Sequence, residues 1–513
     1  MAPALISRRP LLTASLCGAV GLPLGARASA AKSVDPARLD KAIAATDVLT
    51  QSLMKSSRIP GIAVAVVQGE QMLFAKGYGV NKIGAADAVD ADTVFQLASI
   101  SKPLGATVVA HQVGIDSVAW NSRMQHLLPW FALSSPEATR ELTIADLYAH
   151  RSGLPDHAGD VLEDLGYDRT EILHRLRLVP LDGVRKKYHY TNMGITAAAQ
   201  GVSDKAGKDW SSLCESALYR PLGMHRTTSD FRTFIAMNNR AAGHVQENGR
   251  FVPGPVRNPQ VQAPAGGASS SVNDMARWMS LILGMGRYQG QQLVSEEALT
   301  PALSPQMLMR PAQDGQPASY YGFGFNVGTS DGGYKMLSHS GAFVLGAATN
   351  VMMLPELNIG IVVLTNAWPV GVAEAIGLTF LDYVQFGQAK KDWVAFLAPI
   401  FSQITAPEGT LAGKTPPTSP VPPQNLSAYT GTYQNPYYGP LSVTETADGL
   451  VLTAGPGKVT LKCPHWDGDD FVIHPDNESA PPGSAFKVSF SGTPPHKLTC
   501  GFFDETGLNA FTR

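Results

Sequence analysis

The chain has 513 residues, of which 44% are hydrophobic and 16% charged, with 50 Gly and 37 Pro. That length exceeds what one core ordinarily organises, and it predicts two or three globular domains rich in turns. A formal net charge of -2, with no long basic run, argues against nucleic acid as the main partner.

At the N-terminus, Arg8 and Arg9 precede an apolar stretch from Leu11 to Leu24, and Ala28-Ser29-Ala30 offers a small-residue cleavage site. The pattern predicts an export signal over residues 1–30. The arginine pair suggests the twin-arginine route, hence a periplasmic or secreted protein. Gly and Pro interrupt the stretch, which is shorter than the roughly 20 apolar residues of a membrane span. Leu16 before Cys17 is too bulky for the usual lipoprotein site.

The mature text opens with an amphipathic helix, "DPARLDKAIAATDVLTQSLMKSSRIPG", in which Leu39, Ile43, Leu49 and Leu53 fall near one face. "IAVAVVQGEQMLFAKGYG" predicts a hairpin turning at Gln68-Gly69-Glu70. Helical text follows in "SKPLGATVVAHQVG", "TIADLYAH", "TNMGITAAAQGVSDKAG" and "SVNDMARWMSLILG", the last with a capping box of Ser271 and Asp274. Strands return in "YYGFGFNVG", "GYKMLSHSG", "ATNVMMLP" and "NIGIVVLTN". Strands at both ends with helices between predict an α+β domain over 31–404, one antiparallel sheet packed by helices.

Residues 405–425 are rich in Pro, Thr and Gly without apolar periodicity, a stiff linker. From 426 to 513 the text becomes short strands, with Asp448-Gly449 a hairpin signal, and predicts a small lipocalin-like β-barrel. Cys463 and Cys500 both lie in strand-like text there and are the expected disulfide pair of an exported protein, with Cys214 left as a buried thiol. No cysteine has zinc-ligand spacing, and no metal or cofactor is expected.

Three short motifs remain. "SISK" places Ser99 and Lys102 three apart, "YTN" places Tyr190 and Asn192 at the start of helical text, and "HSG" places His339, Ser340 and Gly341 on a strand. Taken singly, Ser99 and Lys102 fit a solvated helix face, Tyr190 a core aromatic and Asn192 a helix cap. In this order, and with "TVFQLASISKP", "LYAHRSGLP", "GGASSSVNDMARWM" and "GIVVLTN" around them, they resemble the serine β-lactamase and penicillin-binding-protein superfamily. The likeness is strongest to class C β-lactamase-like serine hydrolases, over roughly residues 35 to 400.

That resemblance implies Ser99 as nucleophile, Lys102 and Tyr190 as its proton-transfer partners, and Asn192 orienting Lys102 and the substrate amide. It also implies an oxyanion hole from the Ser99 N–H and one N–H after Gly341. On a helix, residues three apart share a face, so Ser99 and Lys102 can meet. A serine hydroxyl needs such a base to become a nucleophile. In many β-lactamases a lysine stands where this chain has His339, so the cation that holds the antibiotic's carboxylate becomes a pH-dependent imidazole. With the C-terminal barrel, the pattern is similar to D-aminopeptidases and related peptidases, and esterases share the scaffold. His150 fits a structural turn of the family better than a second general base. The aromatic run Tyr320, Tyr321, Phe323 and Phe325 reads as buried strand before pocket lining. The expected partner is a small-molecule or short-peptide substrate, with neither nucleic acid nor a stable membrane span; the oligomeric state is left open.

Overall fold

The computed structural model describes residues 34–513 apart from 314, 316 and 505, so the expected export signal lies outside the described residues. Helix α1 (Pro36–Ser57) leads into the hairpin β1 (Gly61–Gln68) and β2 (Gln71–Gly79). The helical region follows with α2 (Ser101–Gly114), α3 (Ile144–Tyr148), α4 (Asn192–Ala206) and α5 (Val272–Leu283). Then come β3 (Met307–Arg310), β4 (Ser319–Tyr321), β5 (Asn326–Thr329), β6 (Lys335–Phe343), β7 (Ala347–Leu354) and β8 (Ile359–Thr365), closed by α6 (Val372–Phe386) and α7 (Trp393–Ile404).

The strands form one eight-stranded antiparallel sheet in the order β2-β1-β8-β7-β6-β5-β4-β3. Both faces are covered, which explains why "IAVAVV" shows no polar alternation. Ile62, Val64, Val66, Ile361 and Val363 pack towards α1 and α6. Ala63, Ala65, Val67, Val362 and Leu364 join the larger core beneath the helical region. At about 25 cal/mol per Å² of apolar surface removed from water, such two-sided burial is the main stabilising contribution to the sheet.

Two local expectations need correction. "YYGFGFNVG" is not one strand but β4 and β5, paired through Tyr320–Val327 and Tyr321–Asn326, with a turn between them. Gly324 lies in that turn at φ +77°, where a Cβ would come within 2.6 Å of the Lys102 carbonyl. Only glycine lets the backbone pass so close under α2. The capping box of α5 is half formed. Ser271 accepts the Asp274 N–H at 3.3 Å, but the Asp274 carboxylate instead accepts from the Arg226 N–H and the Thr227 hydroxyl.

The C-terminal strands are β9 (Gly431–Asn435), β10 (Gly439–Thr446), β11 (Gly449–Ala454), β12 (Val459–Cys463), β13 (His465–Asp467), β14 (Asp470–Ile473), β15 (Phe486–Ser491), β16 (Lys497–Cys500) and β17 (Ala510–Thr512). They make a nine-stranded sheet in the order β12-β11-β10-β9-β17-β16-β15-β14-β13, whose two edge strands follow each other through Pro464. The sheet is thus a nearly closed barrel. Here alternation is clean: in β15, Phe486, Val488 and Phe490 point inward and Lys487 and Ser491 are exposed. The expected Cys463–Cys500 bridge is absent. Both are free, buried thiols on β12 and β16, strands that are not ladder neighbours, and burial raises the pKa of each.

Candidate active site

Ser99 sits in a 3-10 turn, Ala98–Ile100, immediately before α2. A two-residue ladder of Phe95–Gln96 with Ser269–Ser270 anchors the approach to that turn, and the Leu97 N–H donates to the Ala268 carbonyl at 2.9 Å. Ala98 has φ 47°, a left-handed conformation that costs a non-glycine residue about 1–3 kcal/mol. Its methyl group packs with Phe343 and Ala347, and the Ser101 hydroxyl donates to its carbonyl at 2.6 Å. The turn leaves Ser99 half-buried between two fully buried neighbours, Ala98 and Ile100.

Lys102, one turn on, is entirely buried, and its Nζ lies 2.9 Å from Ser99 Oγ, 2.8 Å from Asn192 Oδ1 and 2.9 Å from the Ala265 carbonyl. Tyr190 Oη lies 2.7 Å from the same Ser99 oxygen. The Lys102 ammonium position is 4.5 Å from the centre of the Tyr190 ring. Burial lowers the Lys102 pKa to about 7, against a smaller opposing pull from the Asp160 carboxylate. Burial also pushes the Tyr190 phenol well up, with the hydrogen bond to Ser99 opposing it. Near neutral pH the lysine is therefore the group that can be a free base, and the tyrosine keeps its proton.

Asn192 is the first residue of α4 and does not cap it; Thr191 occupies the cap position and makes no side-chain cap bond. The Asn192 amide nitrogen donates to Asp160 Oδ2 at 2.8 Å, which fixes its oxygen towards Lys102. Asp160 also meets His157 Nδ1 at 2.8 Å. Neither Asp160 nor the Ala265 carbonyl was legible as a site group, because their roles exist only through Asn192 and Lys102.

Strand β6 runs past the serine. β5 pairs with it only over Lys335–Ser338 while β7 pairs over Leu337–Phe343, so His339–Phe343 has a ladder partner on one side. A Cβ on Gly341 would stand 2.9 Å from the Ser99 nitrogen and 2.1 Å from the Leu97 carbonyl, so this position admits only glycine. The pH-dependent cation expected at His339 is not there. The ring is 2% exposed, with Nε2 accepting from the Tyr321 hydroxyl at 2.9 Å and Nδ1 2.6 Å from the Ser340 carbonyl. Burial and the neighbouring Lys102 bring its pKa down to about 3, so the imidazole stays neutral.

The barrel borders this site. Glu478, between β14 and β15, accepts the N–H groups of Val344 at 2.9 Å and Leu345 at 3.3 Å, in the turn after β6. Beside it the Ser479 N–H donates to Asp164 at 3.0 Å, and Arg257 bridges Glu163 and Glu478. Among the described residues no group of three or more His, Cys, Asp or Glu side chains could hold a metal ion, and no helix is long and apolar enough to cross a membrane.

A sheet flanked by helices, with a serine, lysine and tyrosine converging beside the strand that carries His339 and Gly341, is the arrangement of the β-lactamase and penicillin-binding-protein fold. A family profile described as Beta-lactamase matches residues 47–382, and the chain belongs to that family of serine hydrolases. Residues 415–499 match a profile described as a domain of unknown function, DUF3471. The chain is 26% identical over 462 residues to unguisins hydrolase ungD of Aspergillus violaceofuscus, covering 82% of this chain and 80% of that protein. It is 24% identical over 254 residues to the D-alanyl-D-alanine-carboxypeptidase/endopeptidase AmpH of Escherichia coli, covering 47% of this chain and 62% of that one. The octameric penicillin-binding protein homologue from Pyrococcus abyssi shares the fold with a TM-score of 0.60 at 18% identity, over 92% of this chain and 100% of that chain.

Proposed function

We propose that the protein hydrolyses small peptides, amides or esters through an acyl-enzyme on Ser99, most readily as a peptidase or amidase. The observation that carries this reading is Ser99 Oγ within hydrogen-bond reach of both a buried Lys102 and Tyr190. Neutral Lys102 takes the serine proton as Oγ attacks the carbonyl carbon. The oxyanion forms against the Ser99 N–H and the open edge of β6. Collapse breaks the bond to the leaving group, which takes a proton passed from Lys102 through Tyr190. Water then attacks the ester, delivering its proton back to the same unit and freeing Ser99.

The enclosed, neutral His339 offers no cation to a substrate carboxylate, which favours neutral acyl substrates over β-lactams. The kinship with a carboxypeptidase/endopeptidase supports amide chemistry, and the Arg8-Arg9 leader supports action outside the cytoplasm. The test is a panel of D- and L-aminoacyl anilides, short-chain esters and a chromogenic cephalosporin, with Ser99→Ala as control. Turnover of an anilide or ester that vanishes in the control is the expected result. Turnover of the cephalosporin alone would make it a β-lactamase, and a burst without turnover would make it an acylated sensor.

The barrel serves this activity as a wall that admits short chains and excludes folded proteins. Its support is the Glu478 contact with the turn after β6. A chain ending near Thr415 should keep a reactive Ser99 towards a small ester while cleaving a wider range of peptide lengths. A folded truncation with an unchanged length profile would reduce the barrel to a stabilising role.

A further inference from the structure

Behind Tyr190 lies a residue that the mechanism above does not use. His150 is fully buried and holds φ 54°, a left-handed conformation uncommon for residues other than glycine, though histidine adopts it more readily than most. Its Nδ1 accepts the Thr191 N–H at 3.1 Å, and its carbonyl accepts the His189 N–H at 2.9 Å. Those are the two neighbours of Tyr190 in the chain. Its ring packs against the Tyr190 ring, with centroids 4.5 Å apart, and against Tyr321 at 4.8 Å. On the other side, the Tyr190 N–H donates to Asp156 Oδ1 at 2.6 Å and the Tyr190 carbonyl accepts the His157 N–H at 2.8 Å.

The acceptor role settles the ring's form. An Nδ1 that receives an N–H carries a lone pair, so the proton resides on Nε2. That Nε2 is buried and has no hydrogen-bond partner among the described residues. Leaving a buried donor unmade costs about 1–3 kcal/mol. A phenylalanine or leucine would fill the space without that cost but would orphan the Thr191 N–H. What a histidine supplies here is an acceptor at one position, backed by a flat ring.

We propose that His150 is the positioning residue for Tyr190, holding the Tyr190–Thr191 backbone through its Nδ1 acceptor so that Oη meets Ser99. The inference rests on the reading of Tyr190 as part of the proton-transfer unit. His150 acts through Tyr190 and touches no reacting atom. Small errors in this placement matter, because a displacement of about 1 Å at a reacting group can cost roughly 10²-fold in rate.

Two substitutions of similar polarity separate position from packing. In His150→Asn the side-chain oxygen stands the same number of bonds from the backbone as Nδ1, and asparagine tolerates the left-handed conformation. In His150→Gln the acceptor moves one bond outward. With a chromogenic short ester, the acylation rate should fall roughly tenfold or more in His150→Gln with KM within about twofold, and His150→Asn should recover most of it. A His150→Gln enzyme at the wild-type rate overturns the proposal, as does an equal loss in both variants. The wild type supplies a measurement that needs no variant. Its histidine ¹⁵N spectrum should show His150 neutral with Nδ1 unprotonated, and a protonated Nδ1 overturns the proposal. Labelling by an active-site phosphonate keeps the two readings apart. No label on wild-type Ser99 removes the acyl-enzyme reading itself, whereas a labelled Ser99 with unaltered variants removes only the role of His150.

Discussion

The catalytic domain and the barrel both enclose buried side chains, but they enclose different kinds. Inside the barrel are aromatic rings and two thiols: Tyr429 lies 4.8 Å from Phe490, Phe471 lies 5.5 Å from Phe490 and Phe503 lies 5.2 Å from Phe511. Around Ser99 the buried positions hold Lys102, His150, His339, Tyr190 and Tyr321, and burial drives each towards its neutral form. The same loss of water does two jobs. In the barrel it stabilises the fold, and near Ser99 it sets which group can carry a proton at neutral pH.

If that contrast is right, substitutions in the two interiors should separate chemistry from stability. The largest effect falls on Ser99. Ser99→Ala should reduce turnover on the order of 10³-fold or more and leave thermal unfolding near the wild-type midpoint. A phosphonate label that maps to a different serine would end the assignment.

Lys102→Ala and Tyr190→Phe come next, each expected to cost about 10²–10⁴-fold, with the double variant little worse than the poorer single one. Simple multiplication of the two losses would break the idea of one proton-transfer unit. The pH profile sharpens it. Lys102 has a pKa lowered to about 7, so its base form is present above that pH and is lost below it. The kcat/KM of the wild type should be flat on the alkaline side and fall about tenfold per pH unit below the pKa. A profile level down to about pH 5 would contradict the lysine as base.

On the barrel side, Phe490→Ala empties the centre of the aromatic cluster and should destabilise the barrel by about 3–5 kcal/mol. Denaturant unfolding should show that loss while Ser99 remains reactive to the phosphonate below the transition. Loss of labelling in step with the barrel would mean the two interiors are energetically one. The smallest expected effect concerns Cys463 and Cys500. As free buried thiols they should react with a thiol reagent only after unfolding, and a reducing agent should leave the unfolding midpoint where it was. A lowered midpoint on reduction would restore the disulfide.

By itself the sequence determined the elements whose signals are local. The hairpin at Gln68–Gln71, the helix from Pro36, the short helix α3 and the alternating strands of the barrel all follow from periodicity and turn residues within a few positions. The order Ser99-Lys102, Tyr190-Asn192, His339-Gly341 carried the family for a related reason, since three short motifs in fixed order constrain each other. What the tertiary structure alone decided are properties made by residues far apart in the chain. Gly324 beneath Lys102 split a predicted strand in two, and Asp274 turned to Arg226 and Thr227 in place of its own helix end. Cys463 and Cys500 ended on separate strands of a barrel. His339 looked like a titratable cation until Tyr321, itself on a neighbouring hairpin, closed over it. Charge state depends on how much water a folded environment removes, and no stretch of sequence specifies that quantity until distant segments pack around it.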